Sequence, residues 1–508
     1  MRERISRLAR SPALRALLGG LLLSMGAPPF PPALIAFAFV GVALLASALE
    51  DARFGQAIVR GLLFGLATNL VAMSFVPQTI TRFTDLPLVA ALAGWVLLAV
   101  AQGGSWAVAG ALAWGLARVG APRSLAFGAG VGASMLVPSL FPWTIAAPFA
   151  RAPVFLQPAE LIGERGMAVV FAIAAALVAM RARKAIVAAG AILAALLVYG
   201  LARRPSIDAA RAAAPSRSIA LVQQNVPPKD RWKHELAPAI VSKLWSLTRL
   251  AQERGAELAI WPESAYPYVL SADGGRETGA FRVRGPGIGI EVLTGVLTDA
   301  PPPPGAEPGS RWSFNSATIV DLEGNYAPAA AKLELLAFGE VVPLADRFPT
   351  LRRTFARGGG LVAGRDPLLL RTKSPGPEVR SGILNCYEDT LPSISRRIAR
   401  AAPNLLVNLT NDAWFGATAE PELHLLEAIP RAIEARRDLL RAVNTGVTVH
   451  VDAYGTVVAR ATREVATILM VRPALLEGPP TVYVRFGDWT WGAPLLLALL
   501  ATIARARR

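Results

Sequence analysis

The chain has 508 residues, 53% hydrophobic and only 17% charged, with a mean hydropathy of +0.42. Soluble domains average about 25% charged residues, so composition excludes an ordinary soluble enzyme; the apolar content excludes a disordered chain, and the lack of heptads a coiled coil. The formal charge of +16 is concentrated in residues 1–204, where 17 Lys and Arg face 6 Asp and Glu between apolar runs, a pattern of membrane topology and not of nucleic-acid binding.

Taken in order, the apolar runs predict membrane spans near 12–26, 30–49, 57–76, 86–116, 123–140, 166–180 and 185–202, with a last one at 489–504. A hydrocarbon core of about 30 Å needs about 20 apolar residues, and shorter runs are tolerated inside a bundle. The run 86–116 carries Gln102-Gly103-Gly104-Ser105 at its middle and reads as one tilted helix or as two short ones. With the N-terminus cytoplasmic, the inside segments hold most of the arginines, from Arg2, Arg4, Arg7 and Arg10 to Arg505, Arg507 and Arg508. The outside loops hold only Arg82, Arg151 and Arg165. The positive-inside rule then predicts both termini cytoplasmic and an exported middle. This gives a membrane domain of about seven helices over 1–204, an exported domain over 216–478 and a C-terminal span.

Residues 205–215 read as the linker out of the membrane. Beyond them, strand-like runs at Ile219–Val222, Leu258–Trp261, Ala317–Val320, Gly382–Leu384, Leu405–Leu409 and Val447–Val451 alternate with helical stretches at 235–254 and 421–443. That alternation predicts an α/β domain whose sheet is buried on both faces. The Pro- and Gly-rich stretches 284–289 and 300–309 are surface loops.

Cys386 is the single cysteine, so no intramolecular disulfide forms. It ends an apolar run at a polar turn, Leu384-Asn385-Cys386-Tyr387-Glu388, which fits a nucleophile at a strand end and equally a buried structural thiol. His234, His424 and His450 lack the close spacing of a metal site. Glu263, in Trp261-Pro262-Glu263-Ser264, is positioned to be desolvated and to act as a base. Lys332 is an ammonium suited to stabilising a thiolate or an oxyanion. Taken singly, each of the two also reads as an ordinary solvated charge.

Together these segments resemble the nitrilase superfamily, marked by Glu, Lys and Cys in that chain order. More narrowly, the whole chain resembles the apolipoprotein N-acyltransferase family. The motifs are Val222-Gln223-Gln224-Asn225-Val226, Trp261-Pro262-Glu263, Phe338-Gly339-Glu340-Val341-Val342-Pro343, Cys386-Tyr387-Glu388, Asn411-Asp412-Ala413-Trp414-Phe415-Gly416, and Arg431-Ala432-Ile433-Glu434 leading to Arg441-Ala442-Val443-Asn444-Thr445-Gly446. The resemblance implies a polytopic α-helical membrane domain joined to an α-β-β-α sandwich. It implies Glu263 as base, Lys332 as oxyanion stabiliser and Cys386 as nucleophile. Glu340 and Glu388 become supporting acids that hold Lys332 and the substrate ammonium, and Trp232, Tyr387, Asn411, Trp414 and Phe415 become substrate-site residues. It further implies a phospholipid acyl donor (phosphatidylethanolamine), a diacylglyceryl lipoprotein acceptor, a thioester intermediate, no cofactor and no metal. The setting implied is the bacterial inner membrane with a periplasmic catalytic domain, and the chain is expected to be a monomer. After Lys332 the chain departs from the family pattern x-His-Leu-Val-Pro, and Glu334, two residues on, is placed to pair with the lysine. Two rival readings stay open: a membrane-tethered amidase or esterase with water as acceptor, and an inactive nitrilase-like binding protein.

Overall fold

A computed structural model describes residues 11–231, 233–304, 309–343, 347–348 and 360–507. The helices in chain order are α1 Pro12–Met25, α2 Ile35–Ala48, α3 Phe54–Ala72, α4 Val76–Phe83, α5 Leu88–Arg118, α6 Arg123–Ser134, α7 Ala159–Ala179, α8 Arg183–Ala213, α9 Ala237–Glu253, α10 Pro392–Ala399, α11 Glu420–Ala435, α12 Val482–Phe486 and α13 Trp489–Ala506. Two units divide the chain. One takes the described residues up to Arg204 with Thr418–Pro430 and those from Arg485 onward; the other takes Pro205–Ala417 and Arg431–Val484.

The first unit is helical. Among the described residues α3, α5, α7, α8 and α13 are long and apolar enough to cross a membrane, and α1 and α2 are shorter apolar helices. The run 86–116 is one unbroken helix of 31 residues, α5. Its Gln-Gly-Gly-Ser centre is a crossing point and not a break. A Cβ on Gly65 of α3 would stand 2.7 Å from the Gly103 Cα, so only small residues let the two backbones approach this closely. Three expectations need correction. The run 123–140 is helical only to Ser134, because Pro138 and Pro142 supply no backbone N–H to continue it. The amphipathic α4 follows α3 where a connecting stretch was expected. Residues 205–213 are no irregular linker: α8 runs through Pro205 to Ala213, carried by an Ala-rich stretch of high helix propensity.

The second unit is the sandwich. Its strands are β1 Ile219–Gln223, β2 Leu258–Ile260, β3 Tyr266–Leu270, β4 Gly275–Arg276, β5 Glu291–Ala300, β6 Trp312–Val320, β7 Asn325–Tyr326, β8 Ala330–Ala331, β9 Leu369–Arg371, β10 Arg380–Asn385, β11 Leu405–Thr410, β12 Leu439–Val443, β13 Val449–Val451, β14 Val457–Arg460 and β15 Thr467–Val471. One sheet has the order β15-β1-β2-β5-β6-β7-β4, with β3 on β5 and β8 on β6; the other has the order β14-β13-β12-β11-β10-β9. The period of two along each strand sorts its side chains into two cores. On β1, Ile219 and Leu221 join Leu258, Ile260, Ile383, Val407 and Leu440 between the sheets. Ala220 and Val222 face the other way and pack with Val241 and Leu244 of α9. With α10 on the outside of the second sheet, where its Ile398 meets Gly382, the layers are α-β-β-α. The stretch expected as one helix over 421–443 is two elements. α11 stops at Ala435, Arg436 turns into the left-handed region (φ 51°), and Leu439–Val443 is a buried central strand.

Arg211, in the last turn of α8, is tied into this unit. Its Nε and Nη2 donate to the two oxygens of buried Asp438 at 3.0 Å each, and Asp438 Oδ2 also lies 2.8 Å from His450 Nε2. Burial opposes the charge on Asp438, but His450 and Arg211 outweigh it and hold the carboxyl below its ordinary range.

Candidate active site

Three chain turns at strand ends bring the site together. After β2, Trp261 is anchored by its Nε1 donating to Thr248 Oγ1 of α9 at 2.9 Å. The chain then turns through Pro262, Glu263 and Ser264, with Ser264 in the left-handed region (φ 41°). This turn lies flat on β5 because Gly295 has no side chain; a Cβ there would sit 2.4 Å from the Pro262 carbonyl oxygen. Lys332 follows β8, where its N–H donates to the Asn315 carbonyl at 2.8 Å and its own carbonyl accepts from Gly364 N at 2.7 Å. Cys386 follows β10 directly with φ 52°, a backbone conformation costly for any residue other than glycine. Asn408 Nδ2 of β11 holds the strained turn by donating to the Cys386 carbonyl at 2.8 Å.

These turns make a buried charge cluster. Lys332 is 1% exposed; its Nζ lies 2.7 Å from Glu340 Oε2 and 3.7 Å from Glu263 Oε1. Asn315 of β6 sits between the two acids, its Nδ2 donating to Glu263 Oε1 at 2.7 Å and to Glu340 Oε1 at 2.9 Å. Burial works against the charge on Lys332, but Glu340 and Glu263 overcome it and hold the ammonium protonated well above its ordinary range. Burial raises Glu340 too, yet Lys332 and the Leu336 N–H turn the balance and keep it ionised. Glu263 goes the other way: burial lifts it above the ordinary carboxylate range, and the Glu340 charge adds to burial. One acid is thus the partner of the lysine and the other is poised to take a proton. For Cys386, burial and the Glu263 charge push the thiol well up, and Lys332 pulls against them.

Glu388, expected as a supporting acid, is engaged with backbone. Its carboxylate accepts three backbone N–H groups, from Leu333 at 2.6 Å, Glu334 at 3.0 Å and Asn385 at 2.7 Å. It therefore splices the lysine loop to the cysteine strand, while burial pushes it up to about 7. Glu334 is exposed and is not a partner of Lys332. Tyr387 is half-buried, its phenol pushed up to about 12, first by burial and then by the Glu334 charge. Asn411 is buried and engaged with protein, accepting from Asn444 Nδ2 at 2.9 Å. Trp414 and Phe415 are partly exposed on the turn that follows β11. Trp232 lies outside the described residues. Two residues escaped the sequence reading. Asn315 is a single amide in a strand, without any motif. Arg231 is buried, and desolvation lowers its guanidinium to about 10 against the opposing pull of Glu263.

The carbon–nitrogen hydrolase family matches residues 218–474, and the apolipoprotein N-acyltransferase N-terminal domain matches residues 19–177. The apolipoprotein N-acyltransferase of Caulobacter vibrioides is 31% identical over 98% of this chain and 94% of that protein. The protein of the same name from Geobacter metallireducens is 28% identical over 97% of this chain and 95% of its own. Among solved structures, an amidase from Nesterenkonia sp. is 21% identical, with a TM-score of 0.36, covering 54% of this chain and 94% of the amidase. By the family match over residues 218–474 the sandwich is a carbon–nitrogen hydrolase domain. The chain belongs to the apolipoprotein N-acyltransferase family and is an acyltransferase with apolar helices able to span a membrane.

Proposed function

We propose that the chain moves an acyl group from phosphatidylethanolamine to the α-amino group of an S-diacylglyceryl-cysteine at a lipoprotein N-terminus, through a thioester on Cys386. The observation that carries this reading is the split of the two acids around Lys332, with Glu340 ionised on the ammonium and Glu263 raised beside the thiol. Glu263 takes the thiol proton as Cys386 Sγ attacks the carbonyl carbon of the sn-1 ester. The tetrahedral oxyanion is held by Lys332 and backbone N–H groups. The ester C–O bond breaks, the lysophospholipid oxygen receives the proton from Glu263, and the thioester remains. The lipoprotein amine then attacks the thioester, its proton passes through Glu263 to the departing sulfur, and an amide forms. Neither half-reaction calls for a cofactor or a metal.

The arginine asymmetry between spans supports a sandwich on the periplasmic side of the bacterial inner membrane and cytoplasmic termini. The test is the intact mass of detergent-purified protein before and after incubation with phosphatidylethanolamine. The expected result is an adduct of one acyl chain, removed by hydroxylamine and absent from Cys386→Ser. Steady release of fatty acid without an adduct would replace transfer by hydrolysis. Unmodified protein with no released fatty acid would reject the phospholipid as donor.

A further inference from the structure

Three motifs of the sequence have no part in the chemistry assigned so far: Val222-Gln223-Gln224-Asn225-Val226, the turn opening at Asn411, and Asn444-Thr445-Gly446. Each runs off the end of a strand, since β1 stops at Gln223, β11 at Thr410 and β12 at Val443. β1 belongs to one sheet and β11 and β12 to the other, so no single ladder joins the three ends. Asn444 joins them. It is fully buried. Its Oδ1 accepts from Val226 N at 2.9 Å, and its Nδ2 donates to the Val226 carbonyl and to Asn411 Oδ1, each at 2.9 Å. Both of its side-chain N–H donors are thereby used. The backbone continues the clip: the Asn444 carbonyl accepts from Asn225 N at 2.9 Å, and its N–H donates to the Thr410 carbonyl at 3.1 Å. Thr445 Oγ1 adds a bond to Asn225 Oδ1 at 3.1 Å. Asn225 itself is in the left-handed region (φ 50°), a conformation that persists where neighbours fix it.

The paired bonds to the Val226 N–H and C=O are those that a neighbouring strand would supply, so one side chain stands in for a ladder between the two sheets. What it holds is a short loop that ends at the charge cluster. Pro227 follows directly, and its carbonyl accepts from Asp230 N at 3.1 Å and from Arg231 N at 3.3 Å. One tight turn thus runs from the clipped Val226 to Arg231, which is buried. Four groups act on Glu263 by their charge: Lys332, Glu340, Arg231 and the Cys386 thiolate when it forms. The first two are set by their own turns and by Asn315, and Cys386 by the end of β10. Arg231 alone comes on a loop between strand and helix, and its attraction favours the ionised acid.

We propose that Asn444 is a positioning residue for the acid that takes the thiol proton: its clip on Val226 keeps the Arg231 charge directed at Glu263. The inference rests on the reading of Glu263 as the base toward Cys386, and the test separates the two. Cys386 is the only cysteine, so its alkylation by iodoacetamide, followed against pH on the full chain in detergent, reports the acid–thiol pair without any acyl donor. Glu263→Gln should abolish the acid limb of that profile. Asn444→Leu, close in shape but without the side-chain bonds, and Arg231→Gln, without the charge, should each move the limb to higher pH. On the limb both should slow alkylation about three- to tenfold, the span of one neutral hydrogen bond, with the alkaline plateau unchanged. The double variant should match Arg231→Gln alone, because the amide acts through the guanidinium. A limb that persists in Glu263→Gln would overturn the base reading and this inference with it. A limb that belongs to Glu263 yet stays in place in Arg231→Gln, or shifts that add in the double variant, would overturn this inference alone and leave Asn444 as a brace. If Asn444→Leu does not fold, Asn444→Ser replaces it, and the Arg231→Gln arm decides in either case.

Discussion

Asn315 shows how one amide sets the chemistry of two acids. Its two N–H bonds, to Glu263 and to Glu340, keep the carboxylates on either side of Lys332 without letting them share its charge evenly. A hydrogen bond to a charged group is worth about 1.5–3 kcal/mol, so Asn315→Leu should slow acylation of Cys386 by about 10- to 100-fold, read as the rate of adduct formation. The bond from Asn315 favours ionised Glu263, so its loss should also move the acid limb of the rate profile to higher pH, a shift that a purely structural defect would not produce. In the unmodified protein Glu263 must be ionised to accept the thiol proton. Its raised pKa therefore places the loss of acylation, as pH falls, above the ordinary value of about 4.3. Glu388, at about 7, takes up a proton near neutrality and weakens its hold on the lysine loop there. A rate that stays level from pH 8 down to pH 5 would contradict the role given to Glu388. At this scale Glu263 and Cys386 stand in family motifs at strand ends, whereas Lys332 was marked by chain order alone, and the structure brings Glu263 and Lys332 into one charge cluster. Asn315 and Arg231 were not legible, because their work depends on which strand ends the fold brings together. The same reason explains Glu334: two residues from a lysine in sequence is not a pair when the loop turns its side chain outward.

Helix packing gives the element-scale test. Gly65 meets Gly103 at the crossing of α3 and α5, whereas Gly104, one residue on, has open space where a side-chain carbon would stand. Gly65→Val should therefore separate the helices and lower the melting temperature in detergent, while Gly104→Ala should leave it unchanged or raise it slightly through helix propensity. Equal effects would mean that the crossing is not close. Hydropathy marked apolar helices, five of which are long and apolar enough to cross a membrane among the described residues. It did not show that the glycines inside 86–116 are a contact and not a break, because a small residue looks the same in both roles. The boundary between α11 and β12 was lost for a similar reason. Leu439-Leu440-Arg441-Ala442-Val443 is buried on both faces, so it lacks the alternation that separates a strand from a helix. The turn that divides them rests on Arg436 in a left-handed conformation that no glycine announces.

For the molecule as a whole, composition carried the first and largest inference, that apolar spans accompany a hydrolase-like domain, and the arginine distribution is the basis of the proposed orientation. In a Cys386→Ser background, Asp273→Cys should react with a membrane-impermeant thiol reagent in spheroplasts, and Arg507→Cys should react only after lysis. The opposite pattern would reverse the orientation. The α-β-β-α layering was legible through the family motifs more than through the strands, several of which are only two or three residues long. The single thiol has one more consequence. Oxidants and alkylating agents attack thiolates, and burial together with the neighbouring Glu263 keeps the Cys386 proton in place. The protein's only sulfhydryl is thus shielded by its own resting protonation, and any partner that draws off that proton also exposes it to such reagents.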